Sequence, residues 1–339
     1  MRAFVLVKNG PAQTAFELQE QPRPQVKAGE VLIESEAFGL NFAEVMARLG
    51  HYRDAPPLPF VPGYEVVGRI VAVGAGVDPA RVGQRVSAMT RFGGYAEVVA
   101  TQSIAALEIG EELDAGIGVS LTVQGLTAVY MAEELIRLHS GEHVLIHAAA
   151  GGVGTLLVQL ALSHGCKVYG TAGSSQKLAF LKEMGVQHPI NYREQDFITE
   201  IQQIRGEAGL DVIFDPIGGK GLAKGMKLLA AGGRMIAFGG SSITQAKNFF
   251  HKIRIGLSFG FYHPVALLSP SRSLMGVNML RLADQRPEVV ARVFRLALEL
   301  VHKGVLKPHI GAEYPAEQLP QAHADLESRR TMGKLVLKW

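Results

Sequence analysis

The run His147-Ala148-Ala149-Ala150-Gly151-Gly152-Val153-Gly154 decides how this chain folds. It follows an apolar stretch, His143 to His147, and opens a helical stretch rich in Leu and Val, Gly154 to Ser163. From Ala149 it reads A-x-G-x-x-G, the dinucleotide fingerprint with its first glycine replaced by alanine. Gly151 lets the backbone approach a pyrophosphate and Gly154 lets the helix pack close on its strand. Ala150, Gly152 and Val153 complete the cradle. Free amides at the helix start and the aligned peptide dipoles favour phosphate charge there. An ordinary glycine-rich turn shares this composition, but what lies beyond supports the nucleotide reading. Apolar runs Lys167 to Thr171, Asp211 to Phe214 and Arg234 to Phe238 alternate with helical stretches such as Ser175 to Met184. That alternation predicts an α/β fold with a doubly wound parallel sheet.

The end of the second strand bears on the nicotinamide. An acid there would accept hydrogen bonds from a ribose 2′-hydroxyl. Instead Ala172 occupies the slot, followed by Gly173, Ser174, Ser175 and, two residues on, Lys177. A 2′-phosphate meets no repulsion here and finds donors and a positive charge. NADPH is the expected cofactor.

Outside this core the composition changes. Up to about Leu121 the chain reads as β-rich, with runs at Ala3 to Val7, Val31 to Ala37, Val66 to Val73, Arg85 to Ala88 and Tyr95 to Ala100, and a helix over Asn41 to Leu49. Phe249 to Pro264 reads as aromatic-rich and irregular. A last strand is expected over Ser273 to Asn278, an amphipathic helix over Glu288 to His302 and a strand over Lys334 to Lys338.

The 339 residues, 47% hydrophobic and 19% charged, suffice for two packed domains. A net charge of +3 without a basic stripe gives no indication of nucleic acid as a main partner. The single cysteine, Cys166, permits no internal disulfide, which fits a reducing compartment. No signal-like start and no uninterrupted apolar run of ~18 residues is evident, so the expected location is cytoplasmic.

Several motifs carry a resemblance: Gly39-Leu40-Asn41-Phe42-Ala43-Glu44, Pro62-Gly63-Tyr64-Glu65-Val66-Val67-Gly68, Gly125-Leu126-Thr127-Ala128, the phosphate loop, Asp215-Pro216-Ile217-Gly218-Gly219 and Gly333-Lys334. Through them the chain resembles, nearly end to end, the medium-chain dehydrogenase/reductase superfamily. Within it the chain looks like the zinc-free quinone oxidoreductase and zeta-crystallin branch, and most like the synaptic-vesicle membrane protein homologues. The resemblance implies a β-rich, barrel-like (GroES-like) catalytic domain, residues 1–122 plus 283–339, with the Rossmann domain, residues 123–282, inserted.

It further implies that Tyr192 joins Ser174 and Lys177 around the 2′-phosphate and that Thr127 contacts the nicotinamide-ribose side. Phe238, Gly239, Val277 and Asn278 would line the nicotinamide, and Lys334 belongs to the expected cofactor set. Pairing of the last sheet strand would give a homodimer. The position carrying a zinc-ligand histidine in metal-dependent relatives is Tyr64 here, and no histidine cluster replaces it, so no metal is expected. Without a Lewis acid, quinones and α,β-unsaturated carbonyls, which accept hydride readily, are the expected substrates.

Candidate donors are Asn41, which also suits a helix cap, and Tyr52, whose other reading is a surface aromatic on a loop. Glu44 suits a capping arrangement with Asn41, and His51 reads as a solvated loop residue. Two other readings compete. One is an enoyl-thioester reductase. The other is a cofactor-binding protein associated with membrane or lipid, suggested by the basic and aromatic residues from Lys247 to Arg254 and onward to Tyr262. Membrane association is the weaker of these expectations, because a segment packed at the cofactor cleft or a dimer contact has the same composition.

Overall fold

The computed structural model describes residues 1–245 and 249–339. The part of the 247–254 segment that falls on 246–248 lies outside the described residues. The chain divides into two compact units: 1–127 with 279–303 and 308–339, and 128–278 with 304–307.

The first unit holds β1 (Arg2–Leu6), β2 (Phe16–Glu20), β3 (Glu30–Leu40), β4 (Glu65–Val73), β5 (Arg85–Met89), β6 (Val98–Gln102) and β7 (Ala106–Glu108). The second holds β8 (His143–Ile146), β9 (Lys167–Ala172), β10 (His188–Asn191), β11 (Leu210–Asp215), β12 (Leu229–Ala237) and β13 (Ser273–Gly276). The chain then returns β14 (Ile310–Pro315) and β15 (Lys334–Lys338) to the first unit.

In the first unit a seven-stranded mixed sheet runs β14-β15-β3-β4-β5-β7, with β6 also on β3, beside a β1-β2 pair. Its core gathers Phe4, Leu6, Val31, Ile33, Phe38, Val66, Ile70, Tyr95 and Leu335. The pairing that matters for the site is antiparallel β15 on β3, with Leu335 opposite Leu40 and Val336 opposite Gly39. A side chain at Gly39 would place its Cβ 2.4 Å from Lys334 Cε and 2.5 Å from Glu65 Oε1, so only glycine leaves room for that pair. The helix Phe42–Arg48 follows β3 directly.

The second unit is a six-stranded sheet in the order β10-β9-β8-β11-β12-β13, parallel throughout. The order turns back between β8 and β11, the doubly wound arrangement whose ligand crevice lies at the carboxyl ends of the strands. Helices Gly152–Ser163, Ser175–Glu183, Phe197–Arg205 and Lys220–Leu228 separate the strands. Apolar runs such as Val144-Leu145-Ile146 are fully buried, as expected for a sheet covered on both faces.

The structure departs from the sequence expectations in three places. The segment 249–264, expected to be irregular, opens with a helix, Phe249–Leu257, and a second short helix, Pro264–Leu268, follows it. Apolar residues at 249, 253 and 257 give the helical spacing that the aromatic composition obscured. Strands β2, β7, β10 and β14 form where no strand was expected. They are short, and tertiary pairing decides them. Finally, residues Ala115–Leu135 form one helix, long and apolar enough to cross a membrane, with mean hydropathy 1.3 and 83% of that window buried inside the structure. Such burial is what a core helix shows.

Candidate cofactor and substrate sites

The phosphate loop begins where β8 ends. Ala148 adopts the left-handed region (φ 52°), Gly151 N–H donates to Ala148 O at 2.9 Å and the helix starts at Gly152. Among the described residues no side chain caps this helix, which leaves its first amides to a ligand. A Cβ on Gly154 would sit 2.3 Å from Ala148 O. Glycine at this position therefore sets how tightly the turn closes. Gly151, Gly152 and Val153 are partly exposed while Ala150 and Gly154 are buried, so one edge of the loop is open.

β9 ends at Ala172, whose buried methyl stands where an acid would contact a ribose hydroxyl. Ser174 caps the next helix, its Oγ accepting from Lys177 N–H at 3.4 Å. Burial, then the charge of Arg193, lowers the Lys177 pKa. Arg193, next to Tyr192 in sequence, is thus a second cation here beyond the expected set. A Cβ on Gly173 would meet the Tyr192 hydroxyl at 2.5 Å and Arg193 Nε at 3.2 Å. Ser174, Lys177, Tyr192 and Arg193 thus surround one short turn, two cations and two hydroxyls with no acid among them. Phe238 and Gly239 follow β12 and Val277 and Asn278 follow β13, all at the carboxyl ends of parallel strands. Phe238 N–H and Val277 N–H are bonded to Asp215 O and Ala237 O.

The first unit contains a buried polar cluster. Asn41 Nδ2 donates to Glu65 Oε1 at 2.8 Å, and Asn41 Oδ1 accepts from Lys334 Nζ at 3.0 Å and from Gln124 Nε2 at 3.3 Å. Lys334 also forms an ion pair with Glu65, the two side chains being 1% and 0% exposed. Lys334, expected in the cofactor set, is bonded here to both Asn41 and Glu65. Asn41 retains a single uncommitted amide hydrogen after these bonds. A π-helical stretch, Leu121–Gly125, presents Val123 N–H to Glu65 Oε2 at 2.9 Å. Inserted π turns of this kind recur at functional sites. Thr127 donates its hydroxyl to Val123 O at 2.7 Å, so toward a ligand it can only accept.

Glu44 accepts from Asn41 N–H, as its capping position predicts, and from Tyr64 N–H at 3.1 Å. Burial, reinforced by the Glu65 charge, pushes its pKa up to about 8. Tyr52 is half-buried, its pKa raised chiefly by burial, and packs edge-on against Tyr64 with centroids 6.3 Å apart. The sequence did offer one signal for this cluster: Glu65 and Lys334 each stand directly before an apolar run, Val66-Val67 and Leu335-Val336-Leu337.

Comparison with known proteins fits both units. Residues 27–134 match the alcohol dehydrogenase GroES-like domain and residues 152–301 the zinc-binding dehydrogenase family. The rat quinone oxidoreductase is 34% identical over 99% of this chain and 97% of its own length. The chain belongs to the quinone oxidoreductase branch of the medium-chain dehydrogenase/reductases.

Another member, the human synaptic vesicle membrane protein VAT-1 homolog, is 35% identical over 99% of this chain and 86% of its own. The crystal structure of the Escherichia coli quinone oxidoreductase complexed with NADPH superposes with a TM-score of 0.87 at 26% identity, covering 100% of both chains. Zinc needs thiolate, imidazole or carboxylate ligands converging on one point. Cys166 is buried in the second unit, its thiol pushed up to about 11 and donating to His139 O. Among the described residues no group of three or more His, Cys, Asp or Glu side chains is placed to hold a metal ion.

Proposed function

We propose that this quinone oxidoreductase family member is an NADPH-dependent, metal-free reductase of quinones and α,β-unsaturated carbonyls. The observation that carries the reading is the turn after Ala172, where Ser174, Lys177, Tyr192 and Arg193 gather with no acid to repel a 2′-phosphate. Gly151, Gly152, Val153 and Gly154 would hold the pyrophosphate on backbone amides. Bound NADPH would supply a hydride, and with a quinone acceptor the balance is quinone + NADPH + H⁺ → hydroquinone + NADP⁺.

The chain's own residues would orient the acceptor and stabilise its oxygen. Asn41, immobilised by Lys334, Glu65 and Gln124, offers its remaining amide hydrogen, and Tyr52 offers a phenol whose raised pKa keeps it protonated at neutral pH. Thr127 would accept from a ribose hydroxyl. The proton can come from water.

Two further features follow. β13 ends the six-stranded sheet, with no further strand on its outer edge among the described residues, and Phe250, Phe261 and Leu268 are 81%, 87% and 78% exposed nearby in sequence. This supports a homodimer formed through this region rather than lipid attachment, and sedimentation velocity, with and without anionic vesicles, separates the two. We also infer a cytoplasmic location, in keeping with the single unpaired cysteine.

The test has two stages. Calorimetry should detect NADPH uptake tighter than NADH uptake. NADPH oxidation should then proceed with 1,4-naphthoquinone or cyclohexenone and be slow with propionaldehyde. A preference for simple aldehydes would refute the metal-free reading, and a preference for crotonyl thioester would move the assignment to enoyl reduction.

A further inference from the structure

The helix Met279–Gln285 belongs to the first unit and buries Met279 and Leu280. Arg281 and Asp284, three residues apart and so on neighbouring positions of its surface, each form an ion pair with a different loop. Arg281 Nη2 donates to Asp54 Oδ1, and Arg91 Nη1 donates to both carboxylate oxygens of Asp284, at 3.2 and 3.1 Å. These partners lie 227 and 193 residues away in sequence. Asp54 stands two residues after Tyr52, and Arg91 directly precedes Phe92. One short helix therefore grips both loops.

Each loop carries a ring that rests on Tyr64, with centroids 6.3 Å away for Tyr52 and 5.0 Å for Phe92. Both loops are irregular. Phe92 adopts the left-handed region (φ 64°), followed by Gly93 at φ 82°. A bulky residue in that region is strained, and such strain persists where its surroundings impose it, commonly at ligand sites. The pairs themselves are weak props for the fold. Arg281 and Arg91 are 53% and 51% exposed, and exposed pairs contribute little to stability. Position is another matter, because turnover is sensitive to displacements of about 1 Å. The Asp54 side chain is only 13% exposed and lies close to the phenol. Burial raises the Tyr52 pKa most, while Asp54 raises it further and Arg281 lowers it, so both charges reach Tyr52. Without Arg281, the Asp54 carboxylate would repel an acceptor oxygen that gains negative charge beside Tyr52.

We propose that Arg281 and Asp284 are positioning residues: acting through Asp54 and Arg91, they hold the Tyr52 loop and the Phe92 turn at the acceptor, and Arg281 also cancels the Asp54 charge there. This rests on the reductase reading and adds to it the residues that set where its phenol stands.

The test combines Arg281→Met with Asp54→Asn, assayed at saturating NADPH with 1,4-naphthoquinone and cyclohexenone. Arg281→Met should lower kcat roughly tenfold with both acceptors and change KM by less than about threefold, because a misplaced donor is felt in the transition state. Asp54→Asn cuts the same tether but leaves no bare charge, so its loss should be smaller, about threefold. Adding Asp54→Asn to Arg281→Met should raise kcat back to the level of Asp54→Asn alone, since the two positions act as one pair. Arg281→Lys, which keeps the charge and one donor, should retain most of the rate. Melting temperatures should shift by no more than about 3 °C. Independently of turnover, amide exchange should quicken at residues 50–55 in Arg281→Met and at residues 91–94 in Asp284→Asn. Unchanged rates, losses that multiply in the double variant, or rates that fall in step with the melting temperature would overturn the proposal. A wild type that oxidises NADPH with none of the acceptors overturns the reductase reading instead, and amide exchange at the two loops then still decides whether the helix holds them.

Discussion

Replacing Lys334 with methionine tests the arrangement that positions Asn41. The lysine and Glu65 side chains are 1% and 0% exposed, so removing the cation leaves a carboxylate inside the first unit without its counter-charge. Breaking a buried pair in this way costs about 3–5 kcal/mol. Glu65 would keep two donors, Asn41 Nδ2 at 2.8 Å and Val123 N–H at 2.9 Å, which places the expected loss near the lower bound, about 3 kcal/mol. The double variant Lys334→Met, Glu65→Gln removes both charges and should recover much of that loss, giving a coupling of about 2 kcal/mol between the positions. Urea unfolding followed by the fluorescence of Trp339 reads the correct unit: it is the only tryptophan and stacks on Phe4 at 5.9 Å. Strictly additive losses, or a Lys334→Met variant as stable as wild type, would refute the buried-pair account.

Other outcomes are equally specific. Glu44 titrates near 8 when folded against an ordinary 4.5. The folded state therefore binds the extra proton between those values, and stability falls as pH rises from about 5 to 8, then levels. The slope should be at most about 1.4 kcal/mol per pH unit, and Glu44→Gln should flatten it in the same urea experiment. Lys177→Ala and Arg193→Ala should each weaken NADPH binding by roughly tenfold or more with little effect on NADH, as charge-assisted contacts to a 2′-phosphate require, and calorimetry with both coenzymes checks this. Gly154→Ala would drive a methyl into Ala148 O, and should destabilise the second unit by about 1–3 kcal/mol and abolish NADPH uptake, read by thermal melts and titration.

What the sequence by itself determined is what local chain geometry encodes. The fingerprint from Ala149 to Gly154 works through a turn of a few residues, so its glycines are legible without knowing the partners of the strand. The absence of an acid at Ala172 is likewise a property of one strand end. Alternating apolar strands and helices gave the doubly wound sheet, because a parallel strand buried on both faces writes its burial into consecutive residues. The helix over 249–257 is not legible in the sequence because its aromatic and basic composition obscures its apolar spacing.

Tertiary structure decided what depends on distant pairing. Lys334 reaches Asn41 only because β15 pairs with β3 across 293 residues of sequence, and Gly39 makes the space that lets it do so. Arg193 joins Lys177 because β10 lies parallel to β9. The Tyr64 ring meets Tyr52 and Phe92 only once Glu44 and Thr90 have fixed its backbone. A buried charge or a cluster of rings is a statement about surroundings, and surroundings are set by contacts that no local pattern records.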